Sequence, residues 1–337
     1  MNRILIVNVN WVGDVLFSTP LIRAVREKFP TAHIACMLVQ RCREVLELNP
    51  HLNEIIIYDE ENAHRGLAGK LKFIGHLRRK RFDTAIFLHR SFTRGLIVFL
   101  AGVRERIGYY TKKRSFLLTK PLAVPDEEKH RVDFFLNLAG PLGILPKNRN
   151  YEFFVSDEDR KAVKEYLRNQ GVRDSDAVIA INPGGNWEPK RWPAEMFAGL
   201  ADMLQKRFKA KIVITGAKKD VRLAEYISSR MEQKPVILCG KTSLKELGAL
   251  FERATLAISG DSGPLHIAVS MGTRAIALFG PTLPQITGPI GKSPFVILQG
   301  RVDCEVPCYD LSCRDYRCMK DIKVQDVLKA SEKLMAL

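Results

Sequence analysis

Residues 256–279 read LAISGDSGPLHIAVSMGTRAIALF. A short apolar run, 256–259, ends in a turn, Gly260-Asp261-Ser262-Gly263. Pro264 then opens an apolar segment of helical length, 264–271, and a second apolar run follows at 275–279. Proline is tolerated in the first helical turn, where its missing N–H is not needed. Strand, helix and strand at this spacing predict a parallel pair joined by a crossover, the unit of an α/β fold.

The same alternation extends outward. Towards the N-terminus the pattern predicts strands at 178–182, 211–215 and 236–238 and helices at 157–169, 194–208, 221–231 and 244–253, and a last helix spans 324–335. The first part of the chain repeats the scheme, with strands at 3–9, 33–39, 54–58 and 83–89. Helices are expected at 14–28 (Val15, Leu16, Leu21, Ile22 and Val25 at helical spacing), 43–48, 67–80 and 93–101. Between them, 112–150 mixes basic residues, prolines and glycines around one helix at 132–138. The expectation is two doubly wound α/β domains, 1–155 and 156–337. Ligands of such sheets bind beyond the carboxyl ends of the strands, so two facing sheets would place the site in the crevice between them.

The 337 residues carry 46% hydrophobic and 27% charged side chains and a net charge of +16. The length suits two cores, and the charge points to an anionic partner. The start, MNRILIVNVNWVGD, lacks the apolar core of an export signal, and the longest apolar stretch, 95–103, is far short of the roughly 20 residues that span a bilayer. A cytoplasmic protein, peripheral to a membrane, is expected. Basic and acidic residues are interleaved and aromatic RNA-binding signatures are missing, which argues against nucleic acid. Gly240-Lys241-Thr242 looks like the end of a phosphate-binding loop, but Pro235 stands where that motif needs glycine, and no G-x-G-x-x-G follows the first strand.

Three strand-end loops carry candidate chemistry. In NWVGDVLFSTP (10–20), Gly13 permits close approach, and Asp14 is either a helix-capping acid or a general base. In NPGGNWEPKRWP (182–193), the glycines and Lys190 form either a solvated turn or a phosphate cradle. In the 259–281 segment, Asp261-Ser262 either caps the helix or faces ligand. His266 is either packed or functional, and the helix start offers N–H groups to phosphate.

Taken in order, GDVLFSTP (13–20), NPGGNWEPKRWP, GKTSLKELGALF (240–251), SGDSGPLHIA (259–268) and ALFGPT (277–282) resemble glycosyltransferase family 9, the ADP-heptose:lipopolysaccharide heptosyltransferases. The resemblance covers most of the chain and is densest over 176–284. It implies the GT-B fold, two facing Rossmann-like domains with acceptor mainly on the first and donor mainly on the second. It makes Asp14 the catalytic base of an inverting transfer of heptose from ADP-heptose to a lipopolysaccharide core precursor. Lys190 would stabilise the departing ADP, and Asp261 would contact the heptose. Ser262, Gly263 and His266 would bind phosphate, and Thr242 would touch the nucleotide. Gly185 and Asn186 stand where some members have paired threonines near the phosphates, a departure that leaves Gly185 its N–H. No cofactor or catalytic metal is implied, the lysine and helix dipole replacing a cation.

An anionic, lipid-linked acceptor would also use the basic charge, at the cytoplasmic face of the inner membrane. Gly13, Arg65 and Lys70 are the acceptor-side candidates, with further basic clusters at Lys72, at 78–81 and at Lys112-Lys113-Arg114, each alternatively a solvated face. Phe116-Leu117-Leu118 beside the last cluster either inserts at a membrane surface or is core. Cys304, Cys308, Cys313 and Cys318 have spacings compatible with packed thiols, a structural zinc site or disulfides. A transferase using another nucleotide sugar or acceptor, and a non-catalytic binder of nucleic acid or anionic lipid, are the competing functions.

Overall fold

The computed structural model describes residues 1–125, 129–308, 310 and 312–337. The chain divides into two compact units, Met1–Glu152 and Phe153–Leu337. The expected division was three residues later.

In the first unit, β1 (Arg3–Val7), β2 (His33–Leu38), β3 (Glu54–Ile57), β4 (Thr84–Phe87), β5 (Glu105–Tyr109) and β6 (Lys120–Leu122) form one sheet in the order β3-β2-β1-β4-β5-β6. All its pairings are parallel. Between the strands run α1 (Val12–Phe17), α2 (Thr19–Lys28), α3 (Arg43–Leu46), α4 (Leu67–Arg79) and α5 (Phe92–Leu100), and α6 (Arg131–Leu136) follows the sheet. Ile4, Leu5, Ile6 and Val7 are all fully buried, because helices cover both faces of a parallel sheet and its central strand must be apolar throughout.

The second unit contains α7 (Asp157–Asn169), β7 (Val178–Asn182), α8 (Ala194–Phe208), β8 (Lys211–Ile214), α9 (Val221–Arg230), β9 (Val236–Ile237), α10 (Leu244–Arg253), β10 (Leu256–Gly260), α11 (Gly263–Ser270), β11 (Arg274–Phe279), α12 (Pro284–Thr287), β12 (Phe295–Gln299), α13 (Arg317–Lys320) and α14 (Val324–Met335). Its sheet order, β12-β11-β10-β7-β8-β9, is the same winding met a second time. In both sheets the winding reverses direction between the first and fourth strands, β1 with β4 and β7 with β10. Such switch points are where ligands of open α/β sheets bind.

Three departures from the sequence reading have local causes. The helix expected over 14–28 is two helices, because Pro20 has no N–H for the Leu16 carbonyl; the Thr19 hydroxyl donates to that carbonyl instead, at 2.9 Å. The helix expected over 132–138 ends at Leu136 and continues as a 3₁₀ turn, Asn137–Leu142, around Pro141. Strands β5, β6 and β12 were not anticipated. β5 carries Glu and Arg, and β6 contains Pro121, tolerated because β6 is an edge strand.

Candidate functional site

The second unit gathers a polar set at the carboxyl ends of β7 and β10. β7 delivers Asn182 into the turn Pro183-Gly184-Gly185. A Cβ at Gly184 would lie 2.6 Å from the Asp220 carboxylate, so only glycine fits there. The Gly185 carbonyl accepts from Arg191 Nε (3.2 Å) and Nη2 (2.7 Å), which closes the turn and leaves Lys190 for other work. Lys190 ends a 3₁₀ turn, Glu188–Lys190, and donates to Asp261 Oδ2 at 2.7 Å. Gly260 makes this approach possible, since a Cβ there would meet the Lys190 carbonyl oxygen at 2.9 Å.

Asp261 is nearly buried and has three partners. Besides Lys190, the Thr287 hydroxyl donates to Oδ2 at 3.2 Å and His266 Nε2 stands 3.8 Å from Oδ1. Burial alone would raise its carboxyl, but His266 and Lys190 outweigh that and hold it well below the usual carboxylate range. Asp261 is therefore an anion, prepaired with a cation and set before the start of α11.

Ser262 is the N-cap residue of α11, yet its side chain makes no cap; the hydroxyl lies 3.0 Å from the Ser259 hydroxyl and within 3.5 Å of Asn182 Nδ2. The capping reading of Asp261-Ser262 is thus not what the side chains do. Pro264 contributes no N–H, so the helix start presents the N–H groups of Gly263, Leu265 and His266, the arrangement that suits an anion. Thr242 follows Gly240, whose φ of +68° only glycine adopts easily and whose Cβ would strike the Lys218 backbone at 2.8 Å. Asn186 Oδ1 accepts from Lys219 Nζ at 2.6 Å. Lys218 and Lys219, which sequence reasoning did not single out, add exposed positive charge at this edge.

In the first unit Asp14 occupies the first turn of α1, whose N-cap is Trp11. Gly13 precedes it. The turn leading into α1 is held by residues with no motif to announce them. Arg94, completely buried, donates to the Asn8 carbonyl (2.9 Å), Asn10 Oδ1 (2.9 Å) and Glu60 Oε2 (3.2 Å). Asn10 Nδ2 donates to Glu60 Oε1 at 3.2 Å, and Arg41 Nε donates to the Asn10 carbonyl at 3.0 Å. Next to this network, burial and the Arg94 charge lower His89 to about 4, against the opposing pull of Glu60. Its Nδ1 accepts the Ser91 N–H at 3.0 Å, which a protonated nitrogen cannot do.

The acceptor-side candidates separate. Lys70 Nζ donates to the Arg65 carbonyl at 3.0 Å, bringing these two together at the start of α4. The cluster over 78–81 lies at the other end of α4, where Lys80 pairs with Glu54 and its carbonyl accepts from Arg3, at the amino ends of β1 and β3. It is therefore off the carboxyl edge. Arg114 is no surface cation either: it is buried and donates to the His89 and Tyr109 carbonyls, while Lys112 and Lys113 stay exposed. Leu117 and Leu118 are core, but Phe116 is 73% exposed, its ring 6.2 Å from that of Phe92.

Cys304, Cys308, Cys313 and Cys318 are free thiols lining one cavity of about 270 Å³. Among the described residues no three His, Cys, Asp or Glu side chains are grouped to hold a metal ion. Two acidic D-x-D triplets are engaged locally. Asp159 closes the capping box of α7, Asp174 pairs with Lys164 and Arg168, and Asp176 pairs with Arg173.

Two six-stranded parallel sheets wound alike form an α/β architecture that matches GT-B heptosyltransferase structures. The family described as glycosyltransferase family 9 (heptosyltransferase) matches residues 70–314, and the chain belongs to it. Lipopolysaccharide heptosyltransferase 2 of Escherichia coli K12 is 30% identical over 308 residues, 88% of this chain and 87% of its own. The solved glycosyltransferase family 9 protein of Veillonella parvula DSM 2008 superposes with a TM-score of 0.91 at 28% identity, covering 99% of this chain and 97% of its own. The solved E. coli ADP-heptose lipopolysaccharide heptosyltransferase II gives 0.84 at 25% identity, covering 99% and 98%.

Proposed function

We propose that the protein transfers heptose from ADP-heptose to a lipopolysaccharide core acceptor with inversion at the anomeric carbon. The observation that carries this is the Lys190–Asp261 pair beside the α11 start, in a chain whose relatives are named lipopolysaccharide heptosyltransferases. The first unit is read as acceptor-binding and the second as donor-binding.

The donor diphosphate binds the N–H groups of Gly263 and its neighbours, with Gly185, Asn186, Thr242 and Ser262 around it. Lys190 turns from Asp261 to the phosphates. Asp261, released from Lys190 but still facing Thr287 and His266, accepts hydrogen bonds from heptose hydroxyls. The acceptor hydroxyl oxygen attacks the anomeric carbon from the face opposite the phosphate. The new C–O bond forms as the bond to ADP breaks, and the hydroxyl proton passes to Asp14. Lys190 and the helix start stabilise the charge gathered on ADP, so the chemistry needs no metal. Activity is expected to persist in excess EDTA.

Around the carboxyl edge of the first sheet, exposed Trp11, Leu67, Leu71, Phe92 and Phe116 accompany Arg41, Arg65, Lys70, Lys112 and Lys113. Apolar side chains among cations suit an anionic, lipid-linked acceptor and a peripheral position at the cytoplasmic face of the inner membrane. Titration calorimetry tests the donor: heat is expected with ADP and ADP-heptose, and heat with UDP- or GDP-sugars alone would overturn the assignment. The anomeric configuration of the product, read by NMR, tests inversion.

A further inference from the structure

Both side-chain polar atoms of Asn10 and its backbone carbonyl are each engaged by a different part of the first unit. Oδ1 accepts from Arg94 in α5, Nδ2 donates to Glu60 beyond β3, and the backbone carbonyl accepts from Arg41 beyond β2. Arg94 also holds the Asn8 carbonyl and lies over the Tyr58 ring at 5.4 Å. Arg41 lies over the Trp11 ring at 4.8 Å. Trp11 is the N-cap of α1, and Asp14 stands three residues on. The buried Cys42 thiol is pushed up to about 11 mainly by burial, with Arg41 and Arg94 opposing and Asp14 adding to the shift.

A completely buried arginine is a costly way to hold a loop unless its position matters, since the guanidinium must leave water. Here its fork is spent on a backbone carbonyl, an amide and a carboxylate that come from the ends of β1 and β3. The result is a rigid entry into α1, whose N-cap side chain supplies no cap of its own. We infer that Asn10, clamped by Arg94, Glu60 and Arg41, is a positioning residue that fixes Asp14 for proton transfer. The inference rests on Asp14 being the base. Misplacing a reacting group by about 1 Å costs on the order of a hundredfold in rate, so a clamp of this kind acts on kcat and leaves the nucleotide alone.

Steady-state transfer from ADP-heptose to a purified truncated lipopolysaccharide core, with ADP affinity measured by calorimetry, tests the clamp in the full-length protein. Asn10→Ala is expected to lower kcat by about 10–100-fold and to leave the Kd for ADP within about twofold. In an Asp14→Asn background the same change is expected to cost less than about twofold, because a residue acting through Asp14 has nothing left to position. Asn10→Asp sets two carboxylates against each other and should be slow. Adding Glu60→Gln restores one donor facing one acceptor and should recover most of the rate.

A kcat for Asn10→Ala within about threefold of the parent overturns the clamp. So does an equal loss with and without Asp14, which marks a merely structural role. Full activity in Asp14→Asn alone removes the base itself, and the clamp's purpose with it. That failure is read without touching Asn10 and so is distinct from the first two.

Discussion

Lys190 and Asp261 belong together energetically. Removing the cation leaves a nearly buried carboxylate with His266 and Thr287 only, and an uncompensated buried charge is strongly destabilising. Lys190→Ala should therefore lower both the melting temperature and kcat, the latter by about 10²–10³ if the lysine stabilises departing ADP. Asp261→Asn added to it should recover melting temperature but not rate, which separates the two roles. His89 gives a pH test. Its folded-state value is lowered from 6.5 to about 4, so the unfolded chain takes up a proton that the folded one refuses between those values. Stability should fall as pH drops from about 6.5 towards 4, with a slope of up to one proton. His89→Asn, which retains an acceptor for the Ser91 N–H, should flatten that slope in urea titrations. Asp261 and Lys190 could be singled out because each follows a strand end in a stretch of recognisable composition, and His266 because it stands in the first turns of the helix after Asp261. Asn10, Glu60, Arg94 and Thr287 could not, since their meaning lies in pairings up to 86 residues apart that no local pattern records.

Among the elements, the central strands declared themselves through unbroken apolar runs, whereas β5 carries charges and β6 a proline; β12, at the edge of its sheet, is only half-buried and its short apolar run was passed over. The break between α1 and α2 was hidden because the apolar spacing runs through it; only the missing Pro20 N–H reveals it. The turn after β7 offers a test at this scale. Gly184 has room for no side chain beside Asp220, so Gly184→Ala must move either the turn or the carboxylate. A loss of about 1–3 kcal/mol in stability is expected, together with weaker ADP binding by calorimetry. Gly185→Ala, which would meet only the Trp187 carbonyl oxygen at 3.8 Å, should cost much less.

For the whole molecule, net charge read from sequence pointed to an anionic partner without locating the contact. The structure sorts the basic residues: Arg94 and Arg114 are buried struts, the 78–81 cluster lies at the amino edge of its sheet, Arg65 and Lys70 lie at the start of α4 with exposed Leu67 and Leu71, and Lys112 and Lys113 are exposed a few residues before Phe116, whose ring neighbours that of Phe92. Among the described residues no helix is long and apolar enough to cross a membrane. Sedimentation with vesicles containing phosphatidylglycerol is expected to carry the protein down. Phe116→Ser combined with Lys112→Ser and Lys113→Ser should weaken this several-fold, while Arg78→Ser with Arg79→Ser should not.

The doubled winding order reaches further than the site it frames. Each sheet closes on its own core within one continuous stretch of chain, and the polypeptide passes from one unit to the other once, at Glu152–Phe153. Modularity of this kind lets a lineage exchange one half by recombination while the other keeps its packing. Chimeras joined at that peptide, between this chain and a relative of equal length, offer a route to new pairings of sugar and glycan without redesign of either core.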